Sequence, residues 1–220
     1  AELGPQIQAL EGEPVTLLNT LHQSQPIGHL YSHEETGLGV TFERDRQVAA
    51  FCVRQGIAWH EYQTNGIQRG RRDRRGWNQA WQRVMSDAEI PVDLTALPRL
   101  CQPLPLPLEG ALSNRIEGWQ HHNAAFQRGG AVAGNEVLQS FLEERGHGYQ
   151  RHISKPASSR VHCSRLSPYL AWGNLSLRQA YQALKQRQDQ GDWTRALAAF
   201  ESRLHWHCHF IQKFEMECRM

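Results

Sequence analysis

Apolar residues recur at helical spacing over Val15, Leu17, Leu18 and Leu21, directly after Gly12-Glu13-Pro14, which predicts a helix with proline in its first turn. Ile27 to Ser32 reads as a short buried strand. Thr41 to Gln55 then sets Val48, Ala49, Phe51 and Cys52 among charges, with Thr41 as N-cap and Gly56 as the stop, and predicts an amphipathic helix. Ile57 to Tyr62 is the next strand. Parallel strands need helical crossovers, so this alternation predicts the back half of a parallel, helix-covered sheet. Alone it would expose an edge, which implies further residues in front of it.

The pattern changes after the second strand. Trp77, Trp81 and Val84 fall on one helix face by i, i+4, i+7 spacing. Pro91, Pro98, Pro103, Pro105 and Pro107 exclude a continuous helix and predict an interdomain linker over 92–133, with one helical turn near Trp119 and a glycine pair at Gly129-Gly130. Asn135 opens a helix through Val137, Leu138, Phe141 and Leu142 that closes at Gly146, and everything after it is helical. The last helix opens at Asp192, and Trp193, Leu197, Phe200, Leu204, Ile211 and Phe214 paint one apolar stripe along it. The expected organisation is α/β followed by all-α: an α/β domain over 1–91, a linker over 92–133 and a helical domain over 134–220.

Composition narrows the class. With 40% hydrophobic and 21% charged residues, disorder and fibre are excluded as descriptions of the whole chain. A formal charge of +2 permits a nucleic-acid partner without demonstrating one. The five cysteines, at 52, 101, 163, 208 and 218, form no Cys-x-x-Cys pair, which argues for reduced thiols in the cytoplasm and against a disulfide framework or structural zinc. No apolar run approaches membrane-spanning length. Ala1 is not an initiator methionine and the last helical pattern reaches Met220 without a stop, so the chain reads as an internal fragment of a longer protein.

Several clusters invite chemistry and have an ordinary explanation. Arg69, Arg71, Arg72, Arg74 and Arg75 before Trp77 have what a phosphate-backbone contact would need, but with no second basic patch they read first as a solvated turn. His33 with Glu34 and Glu35 reads as a solvated loop, and His121-His122 as an exposed pair. His205 and His209 share a helix face at i and i+4, but no acidic third ligand accompanies them, so no metal is assigned.

The richest stretch is 162–184. Ser167-Pro168 and Ser176 are two helix starts separated by a short turn at Gly173, with Ser164 and Arg165 just upstream. Amides, hydroxyls and a guanidinium converging in this way can cradle a phosphate. An ordinary pair of capped helices has the same spacing.

The wording of this stretch resembles the flavin-binding segment of the DNA photolyase and cryptochrome family. That segment runs as a hydroxyl residue, Ser-Arg-Leu-Ser-Pro-Tyr-Leu, a Phe-Gly-like pair and a Ser-x-Arg-Gln helix. Its counterparts here are Cys163 to Leu170, Trp172-Gly173 and Ser176 to Gln179, with Cys163 standing where threonine is usual. The resemblance implies that Cys163, Ser164, Arg165, Leu166 and Ser167 hold the pyrophosphate and ribityl part of FAD, and that Tyr149, seven residues before Pro156, reaches a flavin phosphate. The interval from Pro156 to Cys163 is two residues longer than the family pattern.

The likeness extends in both directions. Leu30 to Gly37, Glu43-Arg44-Asp45 and Gly56 to Glu61 resemble the second half of the family's N-terminal domain, a Rossmann-like parallel α/β domain that often carries an antenna chromophore. Phe200, Arg203, Trp206 and His207 stand where the family's helix presents an aromatic, a glutamate, a tryptophan and an arginine toward flavin and a flipped pyrimidine dimer. Trp206 agrees; Arg203 and His207 depart. The resemblance therefore implies a cytoplasmic FAD protein, monomeric when full length and off the membrane, that uses blue light to split pyrimidine dimers in DNA through reduced flavin, with a second antenna chromophore of unassigned identity. The rival implication is a cryptochrome-type photoreceptor without repair.

Overall fold

The computed structural model describes residues 10–91 and 123–217. They are mostly helical, with one small parallel sheet, and divide into two compact units. The first contains 10–64, 90–91 and 123–126; the second contains 65–89 and 127–217.

In the first unit, α1 (Pro14–Ser24) begins where Glu13 accepts from the amides of Val15 at 3.0 Å and Thr16 at 2.7 Å. Two orphan N–H groups are thereby satisfied. β1 (His29–His33) and β2 (Ala58–Tyr62) pair in parallel with His29 opposite Ala58, and α2 (Gly39–Gln55) makes the crossover. Gly56 closes α2 at φ 68°, a conformation that costs a residue without Cβ little. Val48, Phe51, Cys52 and Ile57 form the core, with Leu18, Leu30 and Trp59 against it.

Two local expectations need correction. β1 is not buried throughout: it alternates, with His29, Tyr31 and His33 exposed, because one face alone meets the helices. Thr41 does not cap α2. The helix starts two residues earlier, and the Thr41 hydroxyl donates to the Leu38 carbonyl at 2.7 Å.

The second unit contains α3 (Trp77–Ser86), α4 (Ala131–Glu143), a 3-10 turn at Arg145–Gly148, α5 (Tyr149–His152), α6 (Pro156–His162), α7 (Ser167–Ala171), α8 (Leu177–Gln188) and α9 (Thr194–Glu217). α3 was expected to close the first domain. Instead Trp77, Trp81 and Met85, all buried, join one core with Phe141, Tyr181, Leu184, Leu197, Phe200 and Leu204. The first run of the first compact unit thus stops at Thr64, and residues 65–89, with α3, belong to the second unit.

Asn135 is not a helix start either. It lies inside α4 and its Nδ2 donates to the Ala131 carbonyl at 3.0 Å, so the helix reaches back into the stretch read as linker. Residues 92–122 of that linker, with Trp119, His121 and His122, lie outside the described residues. Asp192 is drawn away from α9 by Arg187, which also donates to the Leu142 carbonyl at 2.9 Å and lies 4.5 Å over the Trp193 ring. The α9 stripe runs through Leu197, Phe200 and Leu204 to Cys208 and Gln212, leaving Phe214 40% exposed. None of the described helices is long and apolar enough to cross a membrane.

Candidate functional site

α7 and α8 are fixed by what surrounds them. Leu166, Tyr169, Leu175 and Leu177 are buried, and the Tyr169 hydroxyl donates to the Arg128 carbonyl at 2.8 Å. Gly173 turns the chain at φ 66° between the two helices. Ser176 caps α8 in a reciprocal box: its Oγ accepts from the Gln179 amide at 3.0 Å, while Gln179 Oε1 accepts from the Ser176 amide at 2.9 Å.

α7 starts differently from the sequence expectation. Leu166 occupies the cap position without a side-chain bond, and Ser167 is the exposed first residue of the helix with Pro168 second. Neither the Ser164 nor the Ser167 hydroxyl has a hydrogen-bond partner among the described residues.

Arg165 sits at φ 58°, in the left-handed region that side chains rarely occupy. Gln127 holds it there, donating to the Arg165 carbonyl at 3.0 Å and accepting from Arg165 Nε at 3.2 Å. A second guanidinium reaches the same turn. Arg145 donates to Ser140 Oγ at 2.8 Å, to the Val137 carbonyl at 3.0 Å and to the Cys163 carbonyl at 2.6 Å. Burial first, and then the positive charge of Arg165, lowers the pKa of Arg145 below the usual arginine range. The turn 163–165 therefore lies in a positive field. Burial raises the pKa of the Cys163 thiol, so it stays protonated at neutral pH as a weak donor. Arg145 was not singled out from the sequence. Its signal was a basic residue in the last turn of a predicted helix, where arginine binds unpaired carbonyls.

Tyr149 and Phe200 are brought together, but inside the core. They are 5% and 2% exposed, and with Phe141 they make edge-on contacts at centroid separations of 5.2, 4.7 and 6.0 Å. Burial pushes the Tyr149 hydroxyl up to about 12; the nearby Cys163 reinforces this and Arg203 opposes it. Tyr149 thus lies within electrostatic reach of both Cys163 and Arg203. Farther along α9, the Arg203 guanidinium lies 4.3 Å over the half-exposed Trp206 ring. His207 is half-buried, and burial lowers its pKa, which keeps it neutral at pH 7.

The other clusters are engaged internally. His205 packs 5.0 Å from Trp77 and 4.9 Å from Trp81, with Nε2 3.1 Å from Asn78 Oδ1. Arg74 reaches His209 at 2.5 Å, Arg75 pairs with Asp73 at 2.7 Å, and Arg71 donates to the Asp73 carbonyl at 2.7 Å. Glu35 accepts from Arg44 at 2.8 Å. Among the described residues no group of three or more His, Cys, Asp or Glu side chains is placed to hold a metal ion.

Comparison with known proteins adds no relative: no family model matches the chain, and no curated protein matches it significantly.

Proposed function

We propose that this chain belongs to a flavoprotein of the photolyase and cryptochrome type, with a Rossmann-like antenna domain leading into a helical unit that holds FAD. The observation that carries the reading is the turn at 163–167, where the Ser164 hydroxyl in the turn and the Ser167 hydroxyl at the first helical position have no hydrogen-bond partner among the described residues and stand on a segment bonded by Arg145 and containing Arg165. Hydroxyl donors in a positive field fit a pyrophosphate, which needs several donors and compensating charge. Ser164, Arg165 and Ser167 take the phosphates, and Cys163 and the Leu166 backbone border them. The buried Tyr149–Phe200 pair belongs to the core against which Cys163 packs.

The chemistry that reduced FAD would supply, when bound, is a light-excited electron lent to a pyrimidine dimer in DNA and returned once the dimer has split. The chain's own task is orientation. Trp206, with Arg203 over one face, offers a ring on which an extrahelical base stacks, an interaction of about 1–3 kcal/mol. Arg203 adds attraction to phosphate, and neutral His207 presents a hydrogen-bonding edge.

A second reading rests on position 203. A cation there cannot accept from a base edge as a carboxylate does, which favours a blue-light sensor that binds the same flavin and repairs nothing. Two measurements test the pair of readings. Ser164→Ala with Ser167→Ala removes two donors, each worth about 1 kcal/mol, and lowers flavin retained per mole of folded protein; unchanged retention counts against flavin binding by this turn. Blue-light loss of dimers from an irradiated oligonucleotide, abolished by Trp206→Ala, supports repair; photoreduction of flavin without dimer loss supports the sensor.

A further inference from the structure

α9 carries a second stripe, opposite the buried one. Trp206, Phe210 and Phe214 are 42%, 58% and 40% exposed, and Trp206 meets Phe210 edge-on at 5.8 Å. Arg203, Lys213 and Glu217 are exposed beside them, and a shallow hollow of about 430 Å³ opens between Phe210, Lys213, Phe214 and Glu217. An aromatic stripe of this kind on a helix surface marks an interaction site rather than scattered apolar exposure.

The order of the stripe is symmetric about Phe210. Four residues to either side stand Trp206 and Phe214; seven to either side stand Arg203 and Glu217, of opposite charge. At about 3.6 residues per turn all five fall on one face. From this symmetry we propose that the stripe is the seam of a two-fold dimer between copies of this chain, with the two α9 helices antiparallel and crossing at Phe210.

In that register Trp206 of each copy enters the hollow beside Phe214 of the other, and Arg203 of each meets Glu217 of the other. Both pairs occur twice. A parallel pairing would instead set Arg203 against Arg203 and Glu217 against Glu217, so charge selects the antiparallel arrangement. Lys213 lies 3.8 Å from its own Glu217, so it shares that carboxylate with Arg203 of the second copy. A seam about 20 Å long buries less than the roughly 1,200 Å² of a standard interface, so the dimer is a weak, reversible one. The inference does not rest on the flavin reading. It adds to it a competition, because the dimer covers Trp206.

Sedimentation velocity on the 220-residue chain, from about 1 to 300 µM, tests it. The expected result is a monomer–dimer equilibrium. Arg203→Glu alone and Glu217→Arg alone should each weaken it about tenfold, since every reversal creates two like-charge contacts, and the double swap should restore it. Phe210→Glu should abolish it, with circular dichroism checking that each variant keeps its helices. A chain monomeric throughout, its stripe open or covered by a different partner, overturns the proposal. So does association that ignores the charge reversals or that the double swap fails to restore.

Discussion

The Gln212 carboxamide grips both backbone groups of Gln68: its Oε1 accepts from the Gln68 amide at 2.7 Å and its Nε2 donates to the Gln68 carbonyl at 3.0 Å. Gln212 is fully buried in α9, on the line where the apolar stripe would call for a leucine. Its role is to give the loop that leads into α3 the partners a β-ladder or helix would otherwise supply. Gln212→Leu keeps the volume and strands both groups, so it should destabilise the protein by about 2 kcal/mol, seen as a lower urea midpoint with unchanged m-value.

Gly66 lies under the Trp81 indole and its carbonyl accepts from Trp77 Nε1 at 2.9 Å. A Cβ there would fall inside van der Waals contact with the Trp81 ring, which the surrounding core does not let move. Gly66→Ala should cost about 1–3 kcal/mol, read by thermal denaturation, although alanine is ordinarily tolerated in a loop.

His205 makes stability depend on pH. Burial lowers its pKa below the ordinary 6.5, with His209 and Arg74 adding repulsion and Glu201 opposing. The unfolded chain then takes up the proton first. The stabilisation is whole above about pH 6.5 and is lost as pH falls from there through the folded-state value. The melting temperature should drop between about pH 7.5 and 5.5, and His205→Gln, which keeps a polar group toward Asn78, should flatten that drop.

Arg165→Gly separates backbone strain from ligand binding. At φ 58° glycine relieves about 1 kcal/mol of left-handed strain, roughly offsetting the lost bond to Gln127. The melting temperature should stay within a few degrees of the parent. Flavin retention should nevertheless fall, because the guanidinium is gone; a variant that keeps its flavin would remove Arg165 from the site.

Much of the architecture is local and could be read along the chain. Pro14 and Gly56 mark helix ends through backbone restrictions that need no tertiary partner, and the reciprocal Ser176–Gln179 cap closes within one turn. Apolar periodicity placed Phe51 and Cys52 in one core and Trp77 and Trp81 on one face, because burial follows helix geometry. The candidate turn at 163–167 was legible as a run of donors for the same reason.

What lay beyond the sequence were the choices between partners far apart in the chain. Trp77 and Trp81 show an apolar face without saying which core will receive it; contact with Tyr181 and His205 assigns α3 to the helical unit. Asp192 has the chemistry of an N-cap, but the charge of Arg187 outcompetes an amide for its carboxylate. Arg145 looks like any surface arginine until the fold brings the Cys163 carbonyl to it, and Gln212 like a polar interruption until Gln68 arrives. Sequence spacing determined which groups each helix face could offer. Only the tertiary structure decided which were used, because charges and buried carbonyls take the strongest partner that folding brings within reach, whatever its distance along the chain.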